Sequence, residues 1–305
     1  MTLDVIVEIL ATVGMVFLLL ILGLIFMGIA RKVSARIHRR IGPPLYQPIL
    51  DVIKLWSKID PSSHGLTFDL GPLIALGGAI TAALLLPIMG LKLLSFSGDF
   101  IVLMYLMELP ALGIMLGAAA SGNPFSAVGV YRGLILFTGA QLPYALAVMA
   151  VAAEYKTLSL TEIVALQQGS ILNWGLFRNP FAALVIAIIG LALLDVQPFD
   201  IPSAPGEISM GPMVEYGGKH LALMLTAHGL EFVVFATMYS IVFLGGVGDP
   251  ISFIVKTVFV ALLAIFIMNV YPRWRIEQAF SYLWKYPTAL ALLGLVKAVM
   301  LGGAM

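Results

Sequence analysis

Apolar runs of about 18 residues or more recur along most of the chain, separated by short polar or proline-rich stretches. The runs are continuous and do not alternate with a period of two, which argues against the strands of a β-barrel and for membrane-crossing helices. Eight segments are expected: Val5–Ile29, Gly71–Leu94, Phe100–Ala120, Gly133–Ala153, Phe181–Val196, Leu221–Leu244, Phe253–Tyr271 and Thr288–Leu301. The fifth and eighth are short, and Pro198 stops the fifth because proline cannot continue a helix. The first follows Asp4 and Glu8, lacks a basic leader and is too long for a signal-peptide core, so it reads as a retained helix.

Composition agrees with this pattern. With 61% hydrophobic residues, 11% charged residues and a mean hydropathy of +1.04, the 305 residues read as one all-α integral membrane domain with no room for a soluble one. The absence of cysteine excludes disulfides, thiolate zinc sites and cysteine-ligated iron–sulfur clusters in this chain. Twelve basic residues fall after segments 1, 3, 5 and 7 and five on the other side, which places the odd-numbered loops in the cytoplasm and both termini outside.

The sparse charge is concentrated in one place. Arg31, Lys32, Arg36, Arg39, Arg40, Lys54 and Lys58 make up seven of the 17 basic residues. Gly42-Pro43-Pro44 breaks this stretch, and Pro48 to Lys58 places Ile49, Val52, Ile53 and Trp56 on one helical face. Charge alone fits an anchor in the lipid headgroup zone. The rigid Gly-Pro-Pro turn and the patterned face fit a docking surface for a cytoplasmic partner.

Acids inside membrane segments are functional candidates because burying them costs a few kcal/mol. They are Glu108 in segment 3, Glu231 in segment 6 with His228 one turn earlier, and Glu8 near an outer end where it can be hydrated. Each has a bland alternative: Glu108 as a cap for backbone groups freed by Pro110, and His228–Glu231 as a buried structural pair. Pro198–Gly218 carries four prolines, four glycines and the acids Asp200, Glu207 and Glu215, with Asp195 just before it. No regular helix is expected there. An exposed acidic loop is one reading. A cavity lining, with clustered carboxylates of raised pKa, is the other.

Two motifs decide between some of these. Ala35-Arg36, Arg39-Arg40-Ile41-Gly42-Pro43, Gln47-Pro48, Asp51, Lys54-Leu55 and Lys58 form the first. Pro198-Phe199-Asp200-Ile201-Pro202 through Glu207, Gly211 and Glu215-Tyr216 form the second. Together they resemble the complex I subunit 1 family, including the corresponding subunits of membrane-bound hydrogenases and sulfane sulfur reductases. The resemblance implies a non-catalytic anchor and coupling subunit with no cofactor of its own. Iron–sulfur clusters and, in hydrogenases, a nickel–iron centre would reside in partner chains. Implied partners are hydrogenase-like large and small subunits of a peripheral arm, antiporter-like membrane subunits and the bilayer of a prokaryotic cell membrane; no nucleic acid is expected. Arg36, Arg39, Arg40, Gln47, Asp51 and Lys54 would contact the arm. Asp200, Glu207, Glu215, Glu108, Glu231 and His228 would serve ion coupling.

The chain departs from the family pattern in three places. Only Pro44-Leu45-Tyr46 separates the Gly-Pro and Gln-Pro elements, where quinone-reducing members carry a longer insert. Val196, Ser203-Ala204 and Pro205 replace an Arg and a Glu-Ala-Glu run, and Gln141 replaces an acid. These changes point toward a ferredoxin-oxidising complex that passes electrons to protons or sulfane sulfur and pumps H⁺ or Na⁺. The alternatives are the same role in a quinone- or methanophenazine-reducing complex and, from another class, a free-standing secondary transporter, which would predict inverted repeats that the sequence lacks.

Overall fold

In the computed structural model the chain is a bundle of helices, described over residues 2–59, 64–91 and 94–301, with side chains from Leu10 to Met300 within those ranges. The position expected for Glu8 lies outside the described side chains. Seven helices or helix pairs are long and apolar enough to cross a membrane. They are α1 (Thr2–Ile37), α3 (Leu66–Leu84), the consecutive α4 (Asp99–Leu106) and α5 (Leu109–Ala119), α6 (Pro124–Tyr155), α11 (Gly218–Phe243), α12 (Pro250–Val270) and α13 (Ile276–Leu301). Short helices connect them: α2 (Gln47–Trp56), α7 (Leu160–Leu166), α8 (Gly175–Arg178), α9 (Pro180–Leu193) and α10 (Pro205–Ile208).

Each of the eight apolar segments read from the sequence contains a helix. Segment 2 is helical only as far as Leu84, the helix of segment 8 starts earlier, at Ile276, and three more differ in detail. Segment 3 is broken at Met107–Glu108, with Pro110 in the first turn of α5. Segment 4 begins earlier, because Asn123 caps α6 by accepting from the Phe125 N–H and Pro124 opens it. Arg132 therefore lies on a helix and not in a loop. Segment 5, now α9, has 14 residues. At 1.5 Å per residue it spans about 21 Å, short of the roughly 30 Å of hydrocarbon. The chain after Leu193 is thus irregular at membrane depth, which is tolerated only under a cover of protein or beside a cavity. The cover is present: Leu194, Phe199, Ile201 and Ala204 are each at most 2% exposed.

Helix α11 is the hub. It packs on α1, α2, α3 and α12, and α9 packs on both α6 and α13, which also pack on each other. In lipid the hydrophobic effect does not drive helices together, so close association relies on small residues that let backbones meet. Gly23 of α1 and Gly229 of α11 are such a pair: a Cβ on Gly23 would stand 2.4 Å from the Gly229 carbonyl oxygen. The outward sides of α1 and α12 stay apolar, with Val13, Phe17, Ile254, Leu263 and Phe266 exposed. Such surface suits acyl chains and not water. The ends of α1 and α12 are tied by Asn269 Nδ2 donating to Ser34 Oγ at 3.0 Å. This bond holds the basic end of α1 against the last turn of α12, which Arg273 and Arg275 follow in the chain.

Candidate functional site

The segment from Leu194 to Gly217 folds across the ends of α1, α5, α6 and α11 and closes one side of a cavity of about 260 Å³. Four prolines keep it from continuing α9. Four non-glycine residues have left-handed backbone: Asp195 (φ 51°), Ala204 (27°), Ser209 (51°) and Met210 (74°). Such conformations cost about 1–3 kcal/mol each and cluster at functional sites. Gly211 (φ 48°) seats the loop on α6, because a Cβ there would lie 2.3 Å from the Pro202 carbonyl oxygen, with Gly129 of α6 directly behind. Gly211→Ala should therefore lower stability by on the order of 1–3 kcal/mol, from the αL penalty plus displacement of Pro202, read as a lower thermal midpoint. An unchanged midpoint would contradict this seating.

Most of the cavity wall is apolar, formed by residues such as Met27, Met115, Phe137 and Leu225. Its polar end gathers Asp195, Ser203, His228 and Glu231, with Arg31 at the rim. Glu231 is 4% exposed and its Oε1 has no hydrogen-bond partner among the described residues; the same holds for Oδ1 of Asp195. A second cavity of about 280 Å³ shares Asp195, Ser203 and His228 and extends toward Phe26 and Met268, between α1 and α12.

From this end a line of charged groups runs to the surface. The Ser203 hydroxyl donates to Asp200. Arg273 Nη2 donates to Asp200 Oδ2 at 2.5 Å, and its Nη1 lies 3.8 Å from Glu207. Arg132 Nη1 donates to Glu207 Oε2 at 2.8 Å. The Arg132 hydrogen bond holds the half-exposed Glu207 carboxyl below its ordinary pKa. The expectation of raised pKa values throughout the loop is therefore corrected at Glu207, where a guanidinium stabilises the charged form.

The six candidate coupling residues do not form one cluster. Asp200, His228 and Glu231 converge with Asp195, and Glu207 sits at the outer end of the line. Glu108 is 2% exposed, at the break between α4 and α5, where Gln141 Nε2 donates to its Oε2 at 3.3 Å. Its side chain does not cap α5, so the capping alternative does not hold. Glu215 lies elsewhere: it accepts from Asn123 Nδ2 at 2.5 Å and stands 3.8 Å from His64 Nε2. Its neighbour Tyr216 stacks on Phe68 at 4.0 Å and donates to the Phe68 carbonyl oxygen. The sequence marks Asp195 among the acids beside the loop but not in the coupling set, and it leaves Ser203 and Arg273 out of the site. The available signals were the substitution of Ser203 within a family motif and an arginine beside Pro272 that was counted only toward loop charge.

The basic stretch is likewise split. Asp51 accepts from Arg31 Nη1 and from Gln47 Nε2, both at 2.9 Å, which pins α2 to α1. The Gln47 hydrogen bond, then Arg31, lowers the Asp51 pKa. Arg36, Arg39, Arg40 and Lys54 point outward, interleaved with exposed Ile41, Tyr46, Ile53 and Trp56.

Comparison with known proteins places these features in a family. The NADH dehydrogenase family model matches residues 10–299. A chain in the solved structure of the membrane-bound sulfane sulfur reductase, an archaeal respiratory membrane complex, is 41% identical, with 95% of this chain and 99% of that chain covered and a TM-score of 0.90.

Proposed function

Since the chain belongs to the NADH dehydrogenase, complex I subunit 1-like family, we propose that it is the membrane anchor and coupling subunit of a ferredoxin-oxidising respiratory complex. The observation that carries this reading is the 41% identity over nearly the whole chain to a chain of the sulfane sulfur reductase complex. Loops after α1, α5, α9 and α12 face the cytoplasm. There the outward Arg36, Arg39, Arg40 and Lys54 meet a peripheral arm of hydrogenase-like large and small subunits, which hold the iron–sulfur clusters. Gln47 and Asp51 serve the same surface indirectly, by fixing α2 against α1. The acids Asp200, Glu207, Glu231 and Glu108, with His228, link redox events to ion movement by antiporter-like neighbours. Glu215 contributes by holding the loop against α3 and α6.

Neutralising Arg36, Arg39 and Arg40 to Gln should release the arm in high salt while the chain stays inserted. Nine of the twelve cytoplasmic basic residues remain to set topology. Co-purification of a full arm with the triple variant above about 0.5 M salt, where charge is screened within a few Å, would refute the docking role. One observation favours a second reading, in which a quinone or methanophenazine is reduced: the cavity of about 260 Å³ is mainly apolar and large enough for a ring system. Solvent extraction of the purified complex, finding such a molecule at one per chain, would support it.

A further inference from the structure

The five basic residues on the side away from the basic stretch are unevenly spread. Three of them, Lys156, Arg178 and Lys297, gather at the end of α9 farthest from the acidic loop. Lys297 Nζ donates to Glu154 Oε2 at 3.0 Å and to the Arg178 carbonyl oxygen, which joins α13 to α6 and α8. The Arg178 guanidinium lies over the Tyr155 ring, 5.5 Å from its centroid, and Lys156 follows Tyr155 directly.

These three cations differ in what occupies them. Glu154, with a side chain 10% exposed, takes up the charge of Lys297, so this pair is a tie between α6 and α13. Lys156 closes the C-terminal end of α6, where a cation meets the negative end of the helix dipole. Neither role accounts for Arg178. Its guanidinium has no hydrogen-bond acceptor among the described residues, and cation–π attraction to a ring only 6% exposed holds it in place. A fork of N–H donors, matched to phosphate in shape, is left unused beside a second positive charge.

Next to this cluster the surface is apolar. Helices α9 and α13 meet there in close contact: Asn179 Nδ2 donates to the Gly294 carbonyl oxygen at 3.1 Å, and a Cβ on Gly294 would stand 3.3 Å from Phe181 Cβ. Phe181 and Leu184 of α9 are exposed beside the contact, as are Leu293 and Val296 of α13. A free phosphate would gain from the cations and nothing from this strip. A lipid gains from both, as at basic pockets between membrane helices that take anionic headgroups.

We propose that Arg178 and Lys156 bind the phosphate of one anionic membrane lipid, whose acyl chain runs along Phe181 and Leu184 against α13. The charge bias places this lipid in the outer leaflet, away from the docking and coupling residues. It clamps the start of the short α9 to α6 and α13. The site does not depend on which electron acceptor the complex serves.

The test uses the assembled complex in nanodiscs that mix phosphatidylcholine with a phosphatidylglycerol carrying a photoactivatable acyl chain. After illumination, peptide mass spectrometry counts cross-links to residues 177–184 and 292–297. Labelling should saturate at a low mole fraction of phosphatidylglycerol. In Arg178→Gln the half-saturating mole fraction should rise about fivefold, the factor that one basic residue near the surface contributes to anionic-lipid binding. Lys156→Asn should act likewise, and Asn suits the left-handed backbone there (φ 53°). Arg178→Lys keeps the charge but loses the planar fork, and should fall between. Lys297 bonds to Glu154 and to the Arg178 backbone, so these variants keep the tie and the fold. Labelling that merely tracks the bulk mole fraction and is unmoved in Arg178→Gln marks ordinary boundary lipid and overturns the site. Loss of labelling in excess inorganic phosphate assigns the cluster to a free anion and overturns it too.

Discussion

Arg273→Gln should destabilise the subunit by on the order of 3 kcal/mol, because it removes one partner of a largely buried ion pair. The Arg273 and Asp200 side chains are 22% and 14% exposed, and the pair is short and direct at 2.5 Å. Without the guanidinium, Asp200 confronts Asp195 across Ser203, two acids with no cation between them. The loop would also lose the link between Glu207 and Asp200, leaving Arg132 alone to hold Glu207. Asp200→Asn combined with Arg273→Gln should recover much of the loss, since no uncompensated charge remains. The backbone tie from the Trp274 N–H to the Pro198 carbonyl oxygen survives in both variants. Thermal unfolding of the single and double variants at neutral pH gives the coupling energy. A double variant as unstable as the sum of its singles would assign the pair no role beyond its separate residues.

Glu108→Gln should abolish most ion pumping, by about tenfold or more, which corresponds to removing one proton-transfer group from an obligatory path. Its stability should barely change. Glutamine has nearly the same volume and can still hydrogen-bond Gln141, and it removes only the ionisable proton. Electron transfer in the peripheral arm, measured with an artificial acceptor, should continue. Reconstituted vesicles separate the two activities. Near-normal pumping would reduce Glu108 to a structural residue at the break between α4 and α5. Its position already argues against a surface role, since it is 2% exposed beside a wholly buried Tyr144.

The sequence by itself determined that the chain crosses a membrane as helices. Transfer of an apolar run into lipid is a local property, added residue by residue, and needs no knowledge of the partner helix. It also marked the basic stretch and the proline-rich acidic loop, because charge and proline act where they stand. The tertiary structure alone decided which acids meet. In lipid the outward and inward faces of a helix are both apolar, so the periodic signal that reveals a soluble helix's buried face is largely missing. Nothing in the spacing distinguishes Glu231, in a cavity, from Glu108, against Gln141. Asp195 and Glu231 are brought together because α9 is too short to reach across and the chain returns over α11 through residues with left-handed backbone. Glu215 leaves the other loop acids for the same kind of reason: Tyr216 stacks on Phe68, 148 residues earlier in the chain, and takes its neighbour with it. Contacts of that range depend on how small residues such as Gly23 and Gly229 let backbones approach, and on which loop then fits between them. Those are properties of the packed bundle and of no single segment.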